Sequence, residues 1–277
     1  MEKGSDVLNI NIIYNPVSLT YEQFYEIDKE CFPFEPFNLQ NFNEMKMGYF
    51  WAAFVDEKIV GYAYVKMNTN DAHLSRIGVG INSRGKGIAK YLMKTITSYC
   101  IDHGSHCIDL LVQADNPSAI YLYEQFGFKY LESNYQYIIP ICDVISKYKR
   151  SSANNLKTIS TAQNGIFSES EFGIGQHYNK KQNVIPKRYK LNFIDHNGII
   201  HGNCNLDPGF PGCSTFIINE PDRYFLEALV SLEKYLNPSK ETLVLTFADK
   251  ALMRTCSNLD FKLNYELVAM RRENKLY

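Results

Sequence analysis

The residues best suited to chemistry lie in the first half of the chain. Gly80-Ile81-Asn82-Ser83-Arg84-Gly85-Lys86-Gly87-Ile88-Ala89 places a glycine-rich turn between a strand-like run and an apolar-periodic one. A turn of this kind exposes backbone N–H groups at the positive end of a helix dipole, so Arg84–Ala89 suits a phosphate or pyrophosphate. The stretch nearly spells a Walker A loop, but Gly87 stands where a Ser or Thr must hold Mg²⁺. Gly78-x-Gly80 opens like a dinucleotide fingerprint, yet its sixth position is Ser83 and no suitable βαβ unit follows. The seven cysteines are scattered, with no C-x-x-C pair and no His at ligand spacing. Neither a disulfide framework nor a metal site is expected.

The elements that would position these groups follow from periodicity. VLNINIIY (7–14) alternates as a strand, and Pro16 with Ser18 and Thr20 introduces an apolar-periodic helix through Tyr21, Phe24, Ile27 and Cys31. Two prolines in CFPFEPFN (31–38) end that helix and lay an aromatic loop before a second helix near 39–46. YFWAAFV and KIVGYAYVKM, joined at Asp56-Glu57-Lys58, read as a hairpin. HLSRIGVGI (73–81) is a strand, the turn after it opens a helix through Ile88, Leu92, Met93, Ile96 and Cys100, and CIDLLVQA (107–114) is a strand. DNPSAIYLYEQF (115–126) is a helix with Asn116 or Asp115 as cap and Pro117 near its first position, before a last strand over 127–141.

From about residue 146 the composition turns polar, which reads as a linker and divides the chain into 1–148 and 149–277. The pattern then repeats: a hairpin turning at Asn197-Gly198, a strand STFIIN, a helix from Pro221 through Leu236, a strand TLVLTFA, a short helix and a strand KLNYELVAM. Ala114-Asp115 and Ala248-Asp249 are 134 apart, and Phe128-Lys129 and Phe261-Lys262 are 133 apart, which sets Asn116 on Lys250, Tyr123 on Cys256 and Gly127 on Asp260. In the second half the turn after STFIIN is Glu220-Pro221-Asp222-Arg223-Tyr224, without glycine and with two carboxylates that repel phosphate. With 29 basic against 30 acidic residues the formal charge of −1 lacks the footprint of a nucleic-acid binder. No run approaches the roughly 18 apolar residues of a membrane span, and no signal-peptide pattern opens the chain, so a soluble, cytoplasmic protein is expected.

Two motifs together resemble the GNAT family of N-acetyltransferases. Arg84-Gly85-Lys86-Gly87-Ile88-Ala89 fits the family's Q/R-x-x-G-x-G/A turn, and 29 residues on from Gly87, Asn116 begins a complete N-x-x-A-x-x-L-Y-E-x-x-G-F segment ending at Phe128. For residues 7–141 the resemblance implies an acetyl-CoA-dependent N-acetyltransferase, and for the whole chain an α/β (α+β) fold. That fold would be two tandem units, each a mixed, mostly antiparallel sheet flanked by helices, with the second degenerate. It implies that the amides of Arg84, Gly85, Lys86, Gly87, Ile88 and Ala89 hold the CoA pyrophosphate. Free amides at Ile77 and Val79 would pair with the pantetheine arm and polarise the thioester. Asn116 matches a cofactor-side residue, or is simply the helix cap. Tyr123 matches the tyrosine that protonates the departing thiolate. His73 occupies the position where histone-type members carry a glutamate base, or is an ordinary strand-end histidine; Leu111 stands where ribosomal members carry theirs. In the family the first inter-helix loop and the hairpin after the fifth strand select the acceptor, which points to Phe32, Phe34, Glu35 and Phe37 in the loop and Glu132, Tyr135 and Tyr137 on the last strand, with Phe34, Glu35, Tyr135 and Tyr137 the candidate binding residues. Rings and carboxylates there favour a cationic amine, or the rings plug the core. The acceptor is then an amine on a small molecule or a protein. The alternative reading is a non-catalytic acetyl-CoA-binding or protein-interaction module on the same fold.

Overall fold

The computed structural model describes residues 9–67, 70–149, 156–160, 189–207, 212–236 and 241–274. Its first half runs β1 (Asn11–Tyr14), α1 (Tyr21–Cys31), α2 (Leu39–Lys46), β2 (Tyr49–Val55), β3 (Lys58–Met67), β4 (Asp71–Val79), α3 (Ile88–Asp102), β5 (Cys107–Gln113), α4 (Pro117–Gln125) and β6 (Lys129–Ile139), the order expected from the sequence. Local signals set the boundaries. Thr20 and Gln23 close a capping box at α1, and Asn116 caps α4 with Pro117 in the first turn. Asp56 and Glu57 both adopt positive φ in the β2–β3 turn.

After β6 comes a helix that the sequence reading placed partly in a strand and partly in a linker: α5 (Ile141–Tyr148). Ile141, Val144, Ile145 and Tyr148 recur at helical spacing and pack into the core of the second half, so α5 is a packed element up to the expected boundary. Of the polar run 146–165 read as that linker, 150–155 and 161–165 lie outside the described residues, as do Val7 and Leu8 of the first expected strand, and 157–160 form a strand rather than a linker. The second half follows with β7 (Lys157–Ser160), β8 (Tyr189–Ile194), β9 (Ile200–Asp207), β10 (Gly212–Ile218), α6 (Pro221–Ser231), β11 (Leu243–Phe247), α7 (Lys250–Asn258) and β12 (Lys262–Glu273).

All these strands join one sheet in the order β1-β2-β3-β4-β5-β12-β6-β11-β10-β9-β8-β7. Neighbours are antiparallel except β4–β5 and β10–β11. The order contains an exchange. β12, from the end of the chain, lies between β5 and β6, and β6, from the first half, lies between β12 and β11. Each half is therefore completed by the other's last strand, and no backbone edge is left at the seam.

In the first half α3 and α4 cover one face of the sheet, over Trp51, Val65, Leu74, Leu110 and Tyr123. α1 and α2 cover the other, where Phe24, Phe42, Phe50 and Tyr62 meet. The repeat is visible in backbone detail. Asn116 and Asp249 both cap their helices, and Gly127 (φ +81°) and Asp260 (φ +56°) both take the left-handed residue that ends them. The structural counterpart of Asn116 is thus Asp249 rather than Lys250, because the whole of α4 maps onto α7 without a gap. No helix among the described residues is long and apolar enough to cross a membrane.

Candidate active site

The site is organised by a divergence of two parallel strands. β4 pairs with β3 along its length but with β5 only from Asp71↔Cys107 to Leu74↔Leu110. Beyond that point a gap opens in the sheet. The Gly80 amide donates to the Val60 carbonyl on β3 (3.0 Å), and ladder alternation turns the Ile77 and Val79 amides the other way, into the gap. Beside them the Val79 carbonyl accepts from Arg84 Nε at 3.0 Å, which ties the following turn to the strand end.

That turn is shaped for an anion. After a 3₁₀ turn over Ile81–Ser83, Gly85 and Gly87 sit at φ +75° and +81°, conformations that other residues adopt only with strain. A Cβ on Gly85 would meet nothing within 4 Å, and one on Gly87 only Tyr91 Cε2 at 3.9 Å, so the space over the turn is open. α3 begins with no side-chain cap, leaving the N–H groups of its first turn unclaimed and pointed at that space. Arg84 and Lys86 are exposed beside it, while Ile88 is buried and pins the helix to β3. Amides, open volume and positive charge fit the pyrophosphate of CoA.

Tyr123 on α4 is buried on the α3 side, tilted against Phe128, in the apolar cluster that also receives Ile77 and Val79. Its hydroxyl has no hydrogen-bond partner among the described residues, and burial pushes the phenol above its ordinary range, so it holds its proton at neutral pH. Asn116 is exposed and its side-chain oxygen accepts from the Ala119 amide (3.1 Å). That oxygen serves the cap.

His73 lies on the opposite face. Ala72 and Leu74 point to α3, so His73 points to the α1 side, in line with Lys66 on β3 and Asp109 on β5. Burial first, then the Lys66 charge, lower its pKa to about 4 against the pull of Asp109. It is neutral at pH 7 but a weak base. The glycine turn and Tyr123 lie on the α3 side of the sheet, whereas His73 and the 31–38 loop lie on the α1 side.

The aromatic loop is held by a residue that the sequence reading did not single out. Arg76 lies with its guanidinium between the Phe32 and Phe37 rings, 4.1 and 3.9 Å from their centroids. The same group donates to both carboxylate oxygens of Asp28 (2.7 and 2.8 Å) and to the Glu35 carbonyl. Asp28 is 0% exposed and also accepts from the Phe37 amide and the Tyr62 hydroxyl. The space between the Phe32 and Phe37 rings is therefore filled by the chain's own arginine. The clue was Asp28 itself, a carboxylate at helical spacing with Phe24 and Cys31 on the apolar stripe of α1.

The four residues expected to bind the acceptor do not converge. Phe34 is 84% exposed and Glu35 is exposed at the loop tip, whereas Tyr135 and Tyr137 are buried in the core of the second half. Tyr137 stacks on Phe247 and bonds Ser257 Oγ (3.0 Å). β6 pairs with β11, which turns these tyrosines toward α6 and α7. In the second half β10 and β11 also pair only at their starts, from Gly212↔Val244 to Cys213↔Leu245. The turn that follows bears Glu220 in a left-handed conformation, and Asp222 accepts from Thr255 Oγ1. Carboxylates stand where the first half has open glycines.

Residues 19–128 match the model of the Acetyltransferase (GNAT) family. Human N-acetylaspartate synthetase is 31% identical over 93 residues, 33% of this chain and 31% of that protein. The chain thus spans about a third of the curated relative it matches. Solved structures extend the likeness in fold. A putative acetyltransferase from Pyrococcus horikoshii superposes with a TM-score of 0.63 at 12% identity, covering 96% of this chain and 90% of that one. A tandem GNAT protein from the clavulanic acid biosynthesis pathway does so with a TM-score of 0.62 at 12% identity, covering 95% and 98%.

Proposed function

We propose that the chain, whose residues 19–128 match the acetyltransferase (GNAT) family model, is an acetyl-CoA-dependent N-acetyltransferase acting on a primary amine by direct attack in a ternary complex. One observation carries the proposal: the gap between β4 and β5 opens beside an uncapped helix N-terminus behind two left-handed glycines. The turn from Arg84 to Ala89 holds the cofactor, in the first half alone. Bound acetyl-CoA supplies a thioester to be attacked by the amine and a thiolate that must leave. The Ile77 and Val79 amides present fixed donors to the gap, where they stabilise negative charge without reorganisation. Tyr123, kept protonated by burial, holds the proton for the leaving group. His73 is a weak base, so the amine sheds its proton largely to water before or during attack. The seven cysteines are all unpaired, which supports a reducing, cytoplasmic setting.

Native mass spectrometry of the full chain with acetyl-CoA or CoA tests this reading. One cofactor per chain is expected, lost in Gly87→Glu, where a carboxylate and a strained φ of +81° enter the anion site. Two cofactors, none, or one that survives Gly87→Glu refutes the assignment. One cofactor without transfer to any amine moves the reading to a non-catalytic binding module.

A further inference from the structure

β12 belongs to the second half by sequence and to the first by position. Its register sets Leu267, Ala269 and Arg271 beside Gln113, Leu111 and Asp109 of β5. Val268 and Met270 pack toward α3 and α4, so the first set faces the α1 side, the side of His73 and the aromatic loop. Two residues beyond Leu267, Tyr265 continues that set past the end of β5, where the Ala114 amide donates to the Glu266 carbonyl (2.9 Å). Tyr265 is half-buried. The Leu267↔Gln113 register continued by two residues sets it opposite Asp115, and the carboxylates of Glu35 and Asp115 both act on its phenol. Glu35 is brought there because Arg76 grips its carbonyl.

The charges at this mouth do not cancel. Arg76 is consumed by Asp28, and Arg271 by Asp109 in a two-point pair at 2.6 and 3.0 Å. Among the described residues neither Glu35 nor Asp115 has an ion-pair partner. A phenol ring with two uncompensated carboxylates, at the open end of the gap, is matched by a cation.

We propose that the second half furnishes the acceptor-side wall of the first half's site through β12, with Tyr265 a specificity-determining residue that contacts a cationic acceptor between Glu35 and Asp115. This rests on the acetyltransferase reading and gives the degenerate half a role: it holds no cofactor and helps choose the amine.

The test uses the full chain saturated with CoA, with spermidine and L-aspartate as cationic and anionic probes, titrated calorimetrically and assayed for acetylation with acetyl-CoA. Spermidine binds in preference to L-aspartate. Tyr265→Ala weakens spermidine by about tenfold, from loss of a cation–π face and a hydrogen bond, and leaves the affinity for CoA unchanged. Tyr265→Phe keeps the ring and stays within about threefold of the parent, which separates ring contact from misfolding. Equal spermidine binding in the parent and Tyr265→Ala, a preference for L-aspartate, or a parallel loss of CoA overturns the inference. Failure of the acetyltransferase reading shows differently: binding follows this pattern, but neither probe nor any other amine is acetylated.

Discussion

Arg76 fastens the aromatic loop to the sheet, and Arg76→Met separates that role from simple packing. The substitution removes both bonds to Asp28 and the one to the Glu35 carbonyl, leaving a carboxylate that is 0% exposed with only the Phe37 amide and Tyr62 hydroxyl as donors. Breaking a buried pair from one side costs about 3–5 kcal/mol. A Met side chain between Phe32 and Phe37 returns about 1 kcal/mol through sulfur–ring contact, for a net loss of about 2–4 kcal/mol. At about 2–4 °C per kcal/mol for a chain of this size, Tm falls by about 4–16 °C. Trp51, the single tryptophan, is buried in the first half's core, so urea unfolding followed by its fluorescence reports on the right region. Asp28→Leu with Arg76→Met removes both charges and recovers most of the loss, giving a coupling energy above about 2 kcal/mol in the double-mutant cycle. Single-variant losses below about 0.5 kcal/mol, or additive losses in the double variant, refute the reasoning. With Glu35 released, KM for the amine also rises while the affinity for acetyl-CoA stays constant.

Tyr123→Phe lowers turnover by about 10²-fold with little change in acetyl-CoA affinity, since it removes the proton donor to the departing thiolate and keeps the ring; unchanged turnover in steady-state assays removes Tyr123 from the chemistry. For His73 the folded pKa of about 4 lies below the ordinary 6.5, so the unfolded chain binds the extra proton first as pH falls. The stability tied to this histidine is full above about pH 6.5 and is lost as pH drops toward about 4, and His73→Gln flattens that part of the denaturation-midpoint profile. The alkaline rise of kcat/KM between about pH 7 and 9 persists in His73→Gln because it reports deprotonation of the amine; its disappearance makes His73 the base after all.

What could be read from the sequence was local. Gly85 and Gly87 announced themselves because a left-handed turn at an anion site needs residues without a Cβ, and Asn116-Pro117 and Asn197-Gly198 are short-range devices that work the same way in most contexts. α5 was missed because the Lys and Ser residues on its exposed face merge with the polar run after it, hiding Ile141, Val144, Ile145 and Tyr148. The Asp28–Arg76 pair was missed for a different reason. Each residue looks ordinary on its own element, and only the crossing of α1 over β4 shows that each is buried against the other. Tyr135 and Tyr137 show the limit of alternation: it says that one face of β6 is buried, but not which neighbour buries it.

The exchange of β6 and β12 also explains the uneven fate of the second half. Strand order and helix caps there are constrained by the shared sheet, because β11 pairs with β6 and β12 fills the seam beside β5. Loss of either strand would unpair backbone groups in the middle of the sheet, at a cost felt by both halves. The turn before α6 carries no such constraint, since its geometry matters only when an anion is held. Gly127 could become Asp260 with the left-handed backbone retained, and the open glycine turn could become Glu220-Pro221-Asp222, without disturbing a ladder hydrogen bond. A half that keeps its sheet but has no open glycine turn is the outcome expected if, as proposed, its contribution to the first site is a strand.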